Sequence, residues 1–461
     1  MNNVLLVDFG STYTKVTAVD LEEERLIGTS SAFTTVATDI NHGLSTALNI
    51  LKSEVGEVEF SRTYACSSAA GGLRMMASGL VPDLTSQAAK MASLGAGAKL
   101  IKTFAYEMTE EDIEEIEREN PEIFLLAGGT DGGNTDCILH NAELLGKSEV
   151  SFPIILAGNR NAARKCQQLL EGKLVHVVDN VMPKFGVINI QPAQEKIREV
   201  FLERIIKAKG LSKASQLISD IMMPTPSAIM EAMNLLALGT EREPGIGELM
   251  AVDVGGATTD VYSVASGEPR AGMVVYKGLP EPYIKRTVEG DIGMRYSIDG
   301  IVEAAGIKRL AQLALLEETR AGELVDYLKE NKDAIPDTLE LKRLDIALAK
   351  LAVEIATIRH AGHMEETYTP AGLTFVQSGK DLREVKRMVV TGGSLIHNEE
   401  APEIARSGFF NQAEPQSLRP VEGSILVDRK YILAAMGILS KHAPEVALRI
   451  MKKELICYGN K

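Results

Sequence analysis

Two stretches of this chain gather the residue types that hold phosphate. Asp8-Phe9-Gly10-Ser11-Thr12-Tyr13-Thr14-Lys15 sets a carboxylate, a glycine, hydroxyls and an ammonium around one tight turn. Gly10 lets the backbone approach a ligand without a Cβ. Ser11 and Thr12 offer hydroxyls, and the amides of such a turn form an anion-binding nest. Asp8 ends a buried apolar run, where an ionised carboxylate needs a partner. Hydrated Mg2+ suits that place, because it keeps its waters and is held by one or two carboxylates. The plain alternative is an ordinary hairpin with a surface aspartate. Lys15 neutralises phosphate if it faces inward and is a solvated strand residue if it faces out; the pattern leaves both open.

Asp253-Val254-Gly255-Gly256-Ala257-Thr258-Thr259-Asp260 repeats that grammar: buried run, aspartate, glycine turn, hydroxyls, outgoing strand. The pair is more specific than either alone. Two such hairpins, one from each of two lobes, are expected to face each other across a cleft and hold one phosphate chain. Asp8 and Asp253 would flank the metal. A third element, Val389-Val390-Thr391-Gly392-Gly393-Ser394, runs a strand into a glycine pair before a helix. Bare backbone there would let a base and ribose lie close.

A fourth stretch, Asp131-Gly132-Gly133-Asn134-Thr135-Asp136, carries the same Asp-Gly-Gly pattern in a turn read as lying between strands. It either lies near the terminal phosphate, with Asp131 or Asp136 polarising water, or is a tight structural hairpin. His360 and His363, with Glu365 and Glu366 nearby, make either a metal pair or an exposed helix end.

These residues need a scaffold. The opening reads strand (4–10), strand (13–20), strand (24–33), helix (about 41–53), strand (62–69), an order that implies a mixed sheet. Helical and extended runs then alternate, with strands at 98–106, 122–129, 152–158 and 173–181. Thr109 with Asp112 predicts a capping box at the head of an acidic, solvated helix. The Gly/Pro-rich stretch 239–248 marks a boundary between an N-terminal lobe (1–240) with an inserted α/β segment and a C-terminal lobe (241–461) with an inserted helical part. Past it the opening pattern returns as runs at 248–256, 258–266 and 271–278. This weak repeat points to two related lobes. Asp428 is placed to cap a closing helix over 429–440.

Composition excludes several classes. The chain has 461 residues, 63 acidic against 49 basic, for a net charge of −14. With no basic cluster it lacks the electrostatic footprint of a nucleic-acid binder. No apolar run is long enough to span a bilayer, and the first residues carry Asp8 but no basic region, so neither a membrane span nor a secretory signal is expected. Four scattered cysteines suit a reducing cytoplasm.

DFGSTYTK, DVGGATTD and VVTGGS, in this order, resemble the two phosphate motifs and the adenosine motif of the actin, heat-shock chaperone and sugar kinase superfamily. The resemblance implies an α/β fold of two ribonuclease H-like lobes around a nucleotide cleft. ATP and Mg2+ are the implied cofactors, and hinge closure would be coupled to hydrolysis. More narrowly, FLLAGGTDGGNTDCILHNAELL (124–145), TVEGDIGMRYS (287–297) and DRKYILAAMGILS (428–440) are similar to the MutL accessory-protein family of glutamate mutase (methylaspartate mutase), which is unrelated to the mismatch-repair ATPase of that name. This implies a reactivating chaperone, acting at the expense of ATP, for an adenosylcobalamin-dependent mutase.

On that resemblance Gly10, Ser11, Thr12, Thr14, Lys15, Gly255, Gly256, Ala257, Thr258, Gly392, Gly393 and Ser394 contact the nucleotide; Asp131, Gly132 and Gly133, the turn least expected from the superfamily, join them by their Asp-Gly-Gly pattern alone. Asp8 and Asp253 act through water on the metal, and Asp260 orients the attacking water in a slow ATPase. No DxHxxG signature occurs, so direct cobalamin binding is not supported. A small-metabolite kinase and an actin-like scaffold or filament protein are the competing classes.

Overall fold

In a computed structural model of the chain the described residues are 2–10, 13–34, 40–68, 73–208, 220–269, 274–369 and 372–459. They form two units: 1–231 with 278–280 and 434–446, and 232–277 with 281–433 and 447–461.

The first unit opens with β1 (Asn3–Phe9), β2 (Tyr13–Asp20) and β3 (Arg25–Phe33), then α1 (Ile40–Val55) and β4 (Arg62–Ser67). An inserted segment follows: β5 (Leu73–Gly79), α2 (Gln87–Gly95), β6 (Ala98–Ala105), α3 (Glu110–Glu119), β7 (Ile123–Leu126), α4 (Asp136–Lys147), β8 (Ile154–Leu156), α5 (Ala163–Leu169) and β9 (Val175–Val177). The chain returns through α6 (Gln191–Ala208) to β10 (Asp220–Pro224) and α7 (Thr225–Leu238).

The first sheet has the order β10-β4-β1-β2-β3, with β2 antiparallel to its neighbours and the β1–β4 and β4–β10 pairs parallel. This is the ribonuclease H-like arrangement: third, second, first, fourth, fifth. The inserted sheet, β6-β5-β7-β8-β9, is parallel throughout and covered on both faces. Alternation along β5 and β7 divides its side chains. Met75, Ile123 and Leu125 join the core shared with Val7, Phe9, Leu44 and Phe201. Met76, Phe124 and Leu126 pack with Ile116, Ile138 and Cys166 from α3, α4 and α5. The Thr109–Asp112 capping box at α3 is present.

The second unit repeats the first sheet. Its strands are β11 (Leu249–Val254), β12 (Thr259–Val264), β13 (Val274–Lys277) and β14 (Ile284–Glu289). A helical insertion follows: α8 (Ile298–Ala305), α9 (Ile307–Ala314), α10 (Glu318–Glu330) and α11 (Leu339–His360). Then come β15 (His363–Thr369), β16 (Gly372–Ser378), β17 (Arg387–Thr391), α12 (Gly393–Ile396), α13 (Ala401–Arg406), β18 (Ser424–Val427), α14 (Leu433–Leu439), α15 (Pro444–Glu454) and β19 (Ile456–Tyr458). The order β14-β12-β11-β17-β18-β19 is again third, second, first, fourth, fifth, with β19 added antiparallel at the edge. Val252 and Val254 of β11 join one core with Leu348, Leu351 and Val353 of α11, whose stretch from Ala347 to Thr357 is buried at every position but Lys350. The chain is thus α/β, with two ribonuclease H-like sheets of the actin and sugar kinase type, one carrying an α/β insertion and the other a helical one.

Three expectations are corrected. The extended run at 271–278 is not the third strand of the repeat: β13 pairs with β16 in a separate three-stranded sheet, and β14 takes the third place. Both segments have strand-like sequences, and only pairing decides which sheet each joins. The 131–136 turn leads from a strand into a helix, because Cys137, Ile138, Ala142 and Leu145 bury one helical face of α4. The 173–181 run yields only the short edge strand β9, partly exposed. Among the described residues no helix is long and apolar enough to cross a membrane.

Candidate functional site

Each ribonuclease H-like sheet ends its first strand in the same closure. In the first unit Gly10 N donates to Tyr13 O at 3.1 Å, and in the second Gly255 N donates to Thr258 O at 2.9 Å. A Cβ on Gly10 would lie 2.5 Å from Tyr13 O, so the turn needs glycine. Ser11 and Thr12 lie outside the described residues. Thr14 is buried and shares a 3.0 Å hydrogen bond with Thr34, whose hydroxyl donates to Gly10 O at 3.0 Å. Thr14 therefore braces the turn from beneath.

Asp8 is 4% exposed and amply partnered. Its Oδ2 lies 3.2 Å from Lys15 Nζ, across the hairpin at the paired position. Its Oδ1 accepts from Thr225 Oγ1 at 2.6 Å and Cys66 Sγ at 3.4 Å. Lys15 thus turns toward Asp8, the question its sequence left open. Burial first, and then the Asp8 charge, push the Cys66 thiol well above its ordinary range. Sequence reading missed Thr225; its signal was the Pro-Thr-Pro step that ends β10 and begins α7.

In the second unit the residue paired with Asp253 is Asp260, itself acidic. The cation comes instead from β14: Arg286 Nε donates to Asp260 Oδ1 at 2.8 Å. Thr258 Oγ1 donates to Asp260 Oδ2 at 3.4 Å. Burial is the largest single influence and pulls the Arg286 guanidinium down, but the charge and hydrogen bonds of Asp260, together with Tyr262, outweigh it and the net shift is upward. The glycine turn is clasped by the segment after β14. Met294 N donates to Gly255 O, Arg295 N and Tyr296 N to Gly256 O, and Ser297 Oγ to Ala257 O at 2.7 Å. That clasp uses the carbonyls on one side of the turn.

The glycine pair after β17 meets this hairpin directly. Thr391 is the parallel partner of Asp253. Gly392 has φ +98°, and a Cβ there would stand 2.7 Å from Asp253 Oδ1. Gly393 is open, since a Cβ would meet nothing within 4 Å, and Ser394 is half-buried beside it. Thr391 Oγ1 donates to Asp428 Oδ2 at 3.1 Å, and Asp428 accepts from Ile432 N and Leu433 N, capping α14 as expected.

Asp131, Gly132 and Gly133 lie at the carboxyl end of β7 in the inserted sheet. Asp131 Oδ1 accepts from Arg160 N and Asn180 Nδ2, each at 3.0 Å. His360 and His363 do not form a pair. His360 is buried, with Nδ1 2.9 Å from Thr287 Oγ1 and Nε2 2.8 Å from Ser263 Oγ, while His363 is half-buried at the start of β15.

Asp253, Asp260 and Thr258 offer carboxylate and hydroxyl oxygens, the donors a hard cation takes. Among the described residues no group of three or more His, Cys, Asp or Glu side chains forms a metal cage. This donor set fits a magnesium ion that keeps its own waters.

Among solved structures the chain is similar to a xylulose kinase from Lactobacillus acidophilus, at 8% identity and TM-score 0.38, covering 100% of this chain and 93% of that one. It is also similar to a diol dehydratase-reactivating factor in nucleotide-free form, at 12% identity and TM-score 0.38, covering 96% and 99%. "Protein MutL" of Clostridium tetanomorphum is 45% identical over 460 residues, 99% of this chain and 100% of that protein. The family model described as MutL protein matches residues 4–455. The chain belongs to the MutL protein family.

Proposed function

We propose that this chain is an ATP-binding, slowly ATP-hydrolysing accessory protein that reactivates an adenosylcobalamin-dependent mutase such as glutamate mutase, in the cytoplasm. The observation that carries the nucleotide reading is the matched closure of two Asp-glycine hairpins, Gly10 to Tyr13 and Gly255 to Thr258, each at the end of the first strand of its sheet. The mutase reading rests on family membership and on the motif stretches that resemble the glutamate mutase accessory protein.

The turn amides and the hydroxyls of Ser11, Thr12 and Thr258 bind phosphate. Lys15, poised by Asp8, supplies the cation of the first turn. Asp8 and Asp253 bear on the metal through water. Magnesium, when bound, neutralises phosphate charge. Gly392, Gly393 and Ser394 present bare backbone to adenosine. Asp260 holds the second hairpin against Arg286, and its two carboxylate oxygens keep acceptor capacity to orient the attacking water. Such a site works by positioning and charge stabilisation.

ATP turnover by the purified chain tests the first half. Asp253→Ala is expected to abolish turnover while circular dichroism and gel filtration stay native; unchanged turnover would refute the assignment. For the second half, adding the chain with ATP to an inactivated cobalamin-dependent mutase is expected to restore activity. No recovery with ATP, or equal recovery without it, would refute the reactivating role.

A further inference from the structure

The inserted sheet has features of its own ligand site. In chain order its strands run β5, then β6 to one side, then β7, β8 and β9 to the other, all parallel. Doubly wound sheets of this order bind ligands outside the carboxyl ends of their strands, at the switch point that here falls between β5 and β7. The β7, β8 and β9 side of the same end is also open. Here that end carries a cleft of about 420 Å³ lined by Asp131 after β7, Arg160 after β8, and Asp179 and Asn180 after β9, with Asn189 alongside. Known small-molecule sites span ~300–1,000 Å³.

The rim is tied into one body by buried carboxamides. Asn180 Nδ2 donates to Gly129 O and Asp131 Oδ1, both at 3.0 Å, and its Oδ1 accepts from Met182 N at 3.0 Å. Asn159 Nδ2 donates to Gly133 O at 3.2 Å and Asn134 O at 3.0 Å, while its Oδ1 accepts from Gly132 N at 3.3 Å. Gly129 and Gly132 take φ of +70° and +76°, and a Cβ on Gly158 would come within 2.9 Å of Gly128 N. The turns are therefore preorganised. Asp131 Oδ1 is filled by two donors, but among the described residues nothing donates a hydrogen bond to Oδ2, whose nearest cation is Arg160 Nε at 3.9 Å.

The lining states the ligand's chemistry. Two carboxylates outweigh one exposed guanidinium, so a phosphate is disfavoured. An unfilled carboxylate oxygen, with two acceptor sites, matches the paired hydroxyls of a vicinal diol. Leu156, Val177, Val178 and Pro183 make an apolar wall for a flat ring. We propose that this cleft is a second small-molecule site, independent of the hairpins, that binds a neutral nucleoside with its ribose hydroxyls on Asp131.

Isothermal titration of the full chain with adenosine, guanosine, cytidine and uridine tests this. At least one nucleoside is expected to bind saturably. Its affinity should fall at least tenfold in Asp131→Asn and in Val177→Trp, which fills the cleft from its exposed edge without touching the hydrogen-bonded rim. Gly393→Trp, which fills the open backbone proposed for adenosine, should leave that affinity unchanged, which separates this cleft from the hairpin site. The proposal is overturned if no nucleoside binds at millimolar concentration. It is equally overturned if the corresponding monophosphate binds more tightly at the same cleft, or if Gly393→Trp abolishes binding while both cleft variants retain it.

Discussion

Thr225 Oγ1 donates a 2.6 Å hydrogen bond to Asp8 Oδ1, joining two residues 217 positions apart in the chain. The hydroxyl begins α7 and the carboxylate ends β1, so the contact pins the fifth strand of the sheet to the first. A buried hydrogen bond to a charged group contributes about 1.5–3 kcal/mol. Thr225→Val is expected to lower the unfolding free energy by about that amount in urea titrations. Thr225→Ser should recover most of it, because only the hydroxyl is required.

Arg286 is buried against Asp260, so removing the acid takes a carboxylate away from a buried cation. Breaking a buried pair from one side costs about 3–5 kcal/mol, whereas replacing both partners by apolar residues is often close to neutral. Asp260→Ala should destabilise the chain by several kcal/mol in denaturant melts. Asp260→Leu combined with Arg286→Met should restore most of the loss. If the double variant is as unstable as the single one, the pair is not the source of the penalty.

Gly392 leaves no room for a side chain: at φ +98° a Cβ would stand 2.7 Å from both Asp253 Oδ1 and Val254 N. Gly392→Ala is expected to cost at least ~1–3 kcal/mol in backbone strain, before any displacement of Asp253. Gly393→Ala, whose Cβ meets nothing within 4 Å, should melt near the wild-type temperature. Differential scanning calorimetry of the two variants makes the comparison.

Lys380 is buried, donating to Tyr283 O at 2.7 Å. Burial, reinforced by the charge of Lys285, pulls its ammonium from 10.5 down to about 7. Between those values the unfolded chain holds a proton that the folded chain lacks, so stability rises with pH across this window and falls as pH drops toward 7. The slope from this group approaches about 1.4 kcal/mol per pH unit. Lys380→Met should flatten the profile. Urea unfolding at pH 7 and pH 9 is expected to show a wild-type gain about 2 kcal/mol larger than that of the variant.

The glycine hairpins were legible in sequence because their demands are local. A buried apolar run, an aspartate, a glycine without a Cβ and an outgoing strand lie within a dozen residues, and the closures at Gly10 and Gly255 follow. The capping of α3 by Thr109 and of α14 by Asp428 was legible for the same reason. Partners from distant segments were not. The sequence left the orientation of Lys15 open, and it was pairing across β1 and β2 that set it beside Asp8.

Strand character belongs to the sequence, since alternation and β-branched residues set it residue by residue. Membership of a sheet does not, because it is fixed by hydrogen bonds to strands far along the chain. That is why β13 and β14, alike in sequence, part company, and why the Asp-Gly-Gly turn at 131–133 ends in a helix of the inserted sheet while its look-alikes at 8–10 and 253–256 end in hairpins. Local chemistry wrote the turns; the packing of α4 and the pairing of β14 decided what each turn connects.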